Sequence, residues 1–126
     1  MLAVGPHTRI YLFPGVTDMR KSFDGLRAII DASSISLAPQ CGHLFGFANR
    51  RRNMTKLLYW DGTGFWVCAK KLQKGTFWWP AAGSDVEKPT REISTEQLSA
   101  LLGGVDLPDQ PRRNWLRVKP EVNQAA

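Results

Sequence analysis

The stretch TKLLYWDGTGFWVCA, residues 55–69, decides the fold of this chain. Two runs of aromatic, β-branched and aliphatic residues flank Asp61-Gly62-Thr63-Gly64, and a short turn of this composition between such runs is typical of a β-hairpin. Apolar residues occupy both faces, with Leu57, Tyr59, Phe65 and Val67 assigned to one and Leu58, Trp60 and Trp66 to the other. We therefore expect the helices to cover one face of the sheet. The second face is expected either to be shielded by another element or to serve as a docking surface.

Runs of similar composition lie on either side of the hairpin, at residues 9–13, 43–48 and 76–79. Turn-forming residues separate them: Pro14-Gly15 follows the first run, and a Ser, Pro and Gly-containing stretch precedes the second. A charged linker at residues 81–91 follows the third. The sequence thus predicts an α+β fold in which an antiparallel meander of four to five strands packs with two helices.

The first predicted helix follows two candidate caps, Thr17 and Asp18. Its apolar residues are spaced by four, three and four positions and form one stripe, made of Met19, Phe23, Leu26 and Ile30. The polar face offers two ion pairs at i,i+4 spacing, Arg20 with Asp24 and Arg27 with Asp31. Lys21 is the cation that these pairs leave over.

The second predicted helix begins with a capping box, Ser94-Thr95-Glu96-Gln97. In this motif the Ser94 hydroxyl accepts a hydrogen bond from the Gln97 amide, and the Gln97 side chain reaches back to the cap. The pair Gly103-Gly104 is expected to end the helix.

Length and composition indicate one domain. The chain has 126 residues, of which 43% are apolar and 22% charged, which is ordinary globular usage. We assign residues 1–107 to a single domain and residues 108–126 to a Pro-rich, flexible tail. The sequence contains no apolar run long enough to span a membrane and no signal peptide, so a cytoplasmic location with reduced Cys41 and Cys68 is expected.

The charge is unevenly distributed along the chain. The formal net charge is +6, which favours a polyanionic partner such as nucleic acid. The first 80 residues hold 11 Lys and Arg but only 4 Asp and Glu. Four of the five tryptophans are in the same part of the chain, so positive charge and aromatic side chains coincide.

Topology predicts where the cations meet. In an antiparallel meander the turns alternate between the two ends of the sheet, so the turns before and after the Asp61 hairpin share one end. These two turns are basic, and with the neighbouring cations they give the predicted DNA-binding set Arg50, Arg51, Arg52, Lys56, Lys70, Lys71 and Lys74, with Lys21 as an outlying contact. Such a cluster is typical of phosphate-backbone contacts. The alternative is that the turns are charged only to stay solvated and to protect edges.

The tryptophans support a second interpretation. Trp60, Trp66, Trp78 and Trp79 are either core residues, stacking platforms for unpaired bases, or a surface for a partner protein. The residues assigned to that partner surface are Trp66, Trp78 and Trp79.

Catalytic and metal-binding patterns are weak. Cys41, His43, Cys68 and His7 have the composition of a zinc site, but their spacing matches no known zinc motif. A two-metal nuclease would need convergence of Asp18, Asp24, Asp31 or Asp61. We therefore expect no enzyme activity, metal or cofactor.

Several blocks of the sequence resemble one family. They are residues 17–26 (TDMRKSFDGL), 42–45 (GHLF), 59–64 (YWDGTG), 69–72 (AKKL) and 75–80 (GTFWWP). Their order and spacing are similar to those of the accessory TnpB (Orf2-like) proteins of the insertion sequence 66 family. The resemblance covers residues 8–107. It departs from the family at Ser22, where glycine is usual, and at residues 46–49.

The resemblance implies a bacterial transposition protein that works beside a separate DDE transposase and lacks catalytic acids of its own. Combined with the charge pattern, it predicts an accessory factor that binds the DNA backbone and assists the transposase at element ends. The alternative is an adaptor that binds the transposase through exposed aromatics without binding DNA itself.

Overall fold

The computed structural model describes residues 8–33, 35, 37–82 and 89–104. Its elements in chain order are β1 (Ile10–Leu12), α1 (Phe23–Ala32), β2 (Leu44–Ala48), β3 (Met54–Trp60), β4 (Phe65–Lys71), β5 (Arg91–Ile93) and α2 (Thr95–Leu102). The α+β class and the small single domain are confirmed. The predicted tail at residues 108–126 lies outside the described residues, as does His7.

The five strands form one mixed sheet in the order β4-β3-β2-β1-β5. Strands β2, β3 and β4 are the predicted antiparallel meander. Strand β1 instead runs parallel to β2 and antiparallel to β5. The prediction of a wholly antiparallel sheet is therefore wrong at β1, because α1 lies between β1 and β2 and returns the chain to the end where β1 began.

The expectation of a strand at residues 76–79 is also wrong. Phe77 and Trp79 are buried there, and the indole Nε1 of Trp79 donates to the Phe13 carbonyl at 2.9 Å. Their aromatic character reflects packing against the sheet, without ladder pairing. The fifth strand is β5, which pairs with β1 and lies at the end of the stretch that we expected to be a linker.

Each helix covers a different face of the sheet, contrary to the expectation that both cover one. On the first face, Leu26 and Ile30 of α1 pack with Phe45, Phe47 and Leu58. The second face is covered by α2 and the extended 77–79 segment, and its buried cluster comprises Ile10, Leu12, Leu44, Ala48, Leu57, Phe77, Trp79, Ile93, Leu98 and Leu101.

The register of the hairpin also corrects the predicted faces. Leu58 lies opposite Val67, and Trp60 lies opposite Phe65. Since directly opposed residues share a face, Phe65 and Val67 belong to the α1 side with Leu58. The prediction that they share the face of Leu57 is therefore wrong.

Helix α1 begins later than its apolar spacing predicts. Its N-cap is Ser22, so Met19 lies before the helix, although it still packs against the α1-side cluster. The side chain of Phe23 is 46% exposed, which removes it from the predicted buried stripe. The short turn that delays the helix is held by Asp18, whose carboxylate accepts from the backbone N–H of Arg20 at 2.9 Å.

The ion pairs around α1 differ from those expected. Arg20 pairs with Asp18 at 2.7 Å, and Arg27 pairs with Asp24 at 3.6 Å. Because Arg20 precedes the helix, it cannot take the i,i+4 position that the sequence suggested.

Helix α2 is built as predicted. Ser94 accepts from the Gln97 amide at 3.1 Å, and the Gln97 side chain accepts from the Ser94 amide at 2.8 Å. Gly103 is the C-cap, and Gly104 has φ +88°, a conformation that glycine adopts without a steric cost.

Candidate nucleic-acid interface

The turn between β2 and β3 is fixed by two asparagines. The Asn49 Oδ1 accepts from the backbone N–H groups of Asn53 at 3.1 Å and Met54 at 3.2 Å. Its Nδ2 donates to the Asn53 Oδ1 at 2.8 Å. These neutral amides satisfy the backbone of the turn, so the three arginines between them are not needed to hold it.

Arg52 occupies an unusual backbone conformation in this turn. Its φ is +58°, in the left-handed region, and the described residues hold no other non-glycine residue there. The Arg52 N–H donates to the Asn49 carbonyl at 3.1 Å, and its carbonyl accepts from the Phe77 N–H at 2.6 Å. The surrounding hydrogen bonds therefore impose a conformation that costs an L-residue about 1–2 kcal/mol.

The second basic segment is attached to the first by the backbone. Met54 pairs with Lys71 in the sheet, and the Leu72 N–H donates to the Asn53 carbonyl at 2.8 Å. A few residues on, Phe77 bonds to Arg52. The two turns thus lie at one end of the sheet, which we call the basic end and define as Arg50, Arg51, Arg52, Lys56, Lys70, Lys71 and Lys74.

Five members of the basic end are exposed and have side chains that form neither an ion pair nor a hydrogen bond with the described residues. They are Arg50, Arg51, Arg52, Lys71 and Lys74. Like charges held this close together repel one another unless an anion neutralises them. Three guanidinium groups also present planar forks of donors that match the oxygens of a phosphate.

The other two members bind the protein's own backbone. The Lys56 Nζ donates to the carbonyls of Met19 at 2.9 Å and Lys21 at 2.8 Å. The Lys70 Nζ donates to the carbonyl of Leu102, near the end of α2, at 2.8 Å. Both ammonium groups tie the segments around the helices to the sheet, so their donors are already used within the fold, although Lys70 is itself exposed.

Lys21 lies beside the basic end. The segment leading to α1 is joined to the end of β2 by a hydrogen bond from the Thr17 N–H to the Ala48 carbonyl at 2.8 Å, and Lys56 holds the Lys21 carbonyl. The side chain of Lys21 is exposed. Arg20 is also exposed in this segment. The expected i,i+4 pair with Asp24 had kept it out of the predicted DNA-binding set.

The three tryptophans assigned to a partner surface have different environments. Trp79 is 3% exposed and belongs to the core, so it forms no surface. Trp78 is half-buried, with the guanidinium of Arg91 4.7 Å from its ring centroid. Only Trp66 is substantially exposed, at 42%.

The opposite end of the β3–β4 pair, which we call the hairpin end, is organised around Asp61. Its carboxylate accepts from the N–H groups of Thr63 and Gly64, from the Thr63 hydroxyl and from the Trp66 indole at 2.8 Å. These hydrogen bonds together lower the pKa of Asp61 to about 2, and the bond from the Thr63 N–H makes the largest contribution. This carboxylate serves the turn that contains it.

The two cysteines of the weak zinc pattern do not converge. Cys41 packs against the α1-side cluster and Cys68 against the α2-side cluster, on opposite faces of the sheet. Within the described ranges, no three His, Cys, Asp or Glu side chains form a group that could hold a metal ion. The helices described here are also too short or too polar to cross a membrane.

The chain matches a known protein family. The family described as IS66 Orf2 like protein matches residues 8–112. That range contains every described residue of the sheet, both helices and the basic end.

Two proteins of Sinorhizobium fredii (strain NBRC 101917 / NGR234) are similar over nearly the whole chain. Uncharacterized protein y4hO is 36% identical over 119 residues, covering 94% of this chain and 98% of its own length. Uncharacterized protein y4jC is 31% identical over 118 residues, covering 92% of this chain and 90% of its own. No solved structure matches the chain.

Proposed function

Since this chain belongs to the family of IS66 Orf2-like proteins, which implies an accessory role in transposition, we propose that it binds the DNA backbone through its basic end. In this role it assists a separate DDE transposase at the ends of the element, in the cytoplasm, and performs no catalysis itself. The transposase supplies the chemistry of strand cleavage and joining. This protein supplies a phosphate-binding surface.

The observation that carries the proposal is the attachment of one basic turn to the other. Hydrogen bonds from Leu72 to Asn53 and from Phe77 to Arg52 hold the two segments at the same end of the sheet. The cations they carry are therefore positioned before any ligand arrives. A surface that is already ordered loses less conformational entropy on binding than a pair of independent loops would.

The number of free cations sets the expected strength of the salt effect. The five exposed members of the basic end whose side chains are unpaired, together with Lys21, make six possible phosphate contacts. Each neutralised phosphate of duplex DNA releases condensed counterions, so log K should fall with log salt concentration with a slope of about −5 for six contacts. Lys56 and Lys70 would contribute less because their Nζ atoms already donate to carbonyls.

The experiment that tests the proposal is fluorescence anisotropy of the purified protein on element-end DNA and on scrambled DNA of equal length, each at several salt concentrations. Salt-sensitive binding to both would identify a backbone binder whose specificity comes from the transposase. A clear preference for the end sequence would identify an end-recognition factor. Absence of binding to both DNAs would contradict the proposal.

A second candidate function is favoured by the exposure of Trp66, at 42%. In that case the protein is an adaptor that binds the transposase through this aromatic side chain and does not bind DNA. Adaptor activity predicts co-purification with the transposase after nuclease treatment, abolished by Trp66→Ala and unaffected by Arg51→Ala. DNA binding instead predicts that Arg51→Ala weakens binding in the anisotropy measurement and that Trp66→Ala leaves it unchanged.

A further inference from the structure

Strand β4 is at the edge of the described sheet and is long and apolar for such a position. It has seven residues, and β3 is its pairing partner in the described sheet. Its first four residues are Phe65, Trp66, Val67 and Cys68, and its lysines come only at the far end. Sheet edges that stay unpaired in solution are commonly protected by charge or proline along the strand, which this half of β4 lacks.

The hydrogen-bonding pattern identifies which groups β4 presents outward. At the two ends of the β3–β4 pair, the Asp61 N–H donates to Gly64 and the Leu72 N–H donates to Asn53. Hydrogen-bonded pairs alternate with non-hydrogen-bonded pairs along an antiparallel ladder. The bonds at both ends therefore identify the same set of β4 residues as bonded to β3. The backbone groups that point away from β3 are those of Phe65, Val67, Ala69 and Lys71.

Exposed apolar side chains flank this edge on both faces of the sheet. The described residues include three large hydrophobic side chains that are exposed, and two of these are Phe23 at 46% and Trp66 at 42%. Trp66 lies on the α2 side. On the other face, the guanidinium of Arg27 in α1 is 5.2 Å from the Phe65 ring centroid. Phe23 is one helical turn before Arg27, so it lies on the same side of α1, toward β4.

We propose that a second copy of this chain pairs with β4 through its own β4, antiparallel and centred on Cys68. In this register Val67 of one copy opposes Ala69 of the other, and Phe65 opposes Lys71. The outward backbone groups of each copy then meet outward groups of the other, and all seven residues pair.

The charge pattern of β4 selects this arrangement over a parallel one. Antiparallel pairing places Trp66 opposite Lys70 and Phe65 opposite Lys71, so the aromatic residues of one copy lie beside the lysine side chains of the other and no two lysines are directly opposed. Parallel in-register pairing would place lysine beside lysine. The strand is thus complementary to an inverted copy of itself.

The proposed dimer has a consequence that rests on the proposed function. Inverting one copy places the two basic ends at opposite ends of the paired strands, about 20 Å apart for seven residues. One dimer would then present two phosphate-binding surfaces facing opposite ways and could hold two DNA segments. Self-association is measured without DNA, so a failure of DNA binding would not be confused with a failure of the dimer.

The test combines sedimentation equilibrium with amide hydrogen exchange on the full chain. Wild type is expected to be a dimer whose Val67 and Ala69 amides exchange slowly, with protection that increases with protein concentration. Ala69→Pro removes an outward N–H and leaves the ladder to β3 intact, so it should weaken self-association by about tenfold or more. Ala69→Thr, which keeps the N–H, is the matched control and should remain dimeric.

Each other outcome overturns the proposal. A wild-type protein that stays monomeric to its solubility limit has no such interface. A dimer in which the Val67 and Ala69 amides exchange rapidly uses a different surface. The exchange measurement is made on the unaltered chain, so it decides the matter even if the proline variant does not fold.

Discussion

The basic end and the hairpin end of the sheet solve the same local problem with different chemistry. At both ends one side chain beside a tight turn accepts hydrogen bonds from the backbone. At the basic end that side chain is the neutral Asn49, and at the hairpin end it is the charged Asp61. The charge at the hairpin end is therefore used within the turn, whereas the arginine charges at the basic end are left for a ligand.

The largest expected effect comes from removing the support of the basic end without changing its charge. Asn49→Ala deletes three hydrogen bonds and leaves the half-buried N–H of Met54 without its acceptor. We expect a loss of about 1–3 kcal/mol in the free energy of unfolding and weaker DNA binding. Chemical denaturation and anisotropy measure the two effects.

The matched variant at the hairpin end is Thr63→Ala, which removes one hydroxyl donor from Asp61. It should leave DNA affinity at the wild-type value. If Asn49→Ala binds DNA as wild type does, the order of the turn is irrelevant to the interface.

A smaller effect of opposite sign is expected at Arg52. Glycine accepts φ +58° without steric cost, which favours the folded state, but it also makes the unfolded chain more flexible, which offsets part of that gain. Arg52→Gly should therefore raise the free energy of unfolding by about 0.5 kcal/mol. The same change removes one cation and should weaken DNA binding. Thermal unfolding and anisotropy on the same samples would show stability and affinity changing in opposite directions.

Arg51→Gly is the control for that variant, since Arg51 lacks a positive φ. It removes the same charge and should weaken DNA binding similarly without any gain in stability. Equal stability changes in the two variants would contradict the strain assigned to Arg52.

The smallest effect concerns the pKa of Asp61, which tests whether its charge serves the turn. Trp66→Phe removes the indole donor and should raise the pKa of Asp61 from about 2 toward the ordinary 3.8. Because the folded pKa is depressed, the stabilisation is complete above about pH 4 and is lost as the pH falls toward 2. A carboxyl NMR titration measures the shift directly.

Asp18 provides an internal reference in that titration. The side chain of Arg20 is the main cause that lowers the pKa of Asp18 to about 2, and Trp66 takes no part in that interaction. Its pKa should not change in Trp66→Phe. Parallel shifts of both carboxyls would indicate a global change in the fold.

Local sequence patterns predicted the elements whose structure depends on neighbouring residues. The Asp61 hairpin and the α2 capping box follow from short-range hydrogen bonds that particular residue types make at fixed spacing. The meeting of the two basic turns followed from strand alternation alone. These features required no knowledge of distant contacts.

The failures at residues 76–79, at β5 and at two of the basic residues were decided by distant contacts. Phe77 and Trp79 have the composition of a strand, but the Trp79 indole donates to the Phe13 carbonyl just after β1, and both side chains are buried in the α2-side cluster, which no local pattern specifies. The short β5 gains its structure from pairing with β1, more than 70 residues earlier in the sequence. Likewise, Lys56 and Lys70 look like free cations in sequence, and only the tertiary structure shows the carbonyls that bind them.

The most direct test of the basic end as a DNA-binding surface is the salt dependence of duplex binding by the Arg50→Ala, Arg51→Ala, Arg52→Ala triple variant. The slope of log K against log salt should flatten by about two to three units relative to wild type. Arg9→Ala, which removes an exposed cation paired with Glu92 at the far end of β1, should leave the slope unchanged. A triple variant with the wild-type slope would contradict the account.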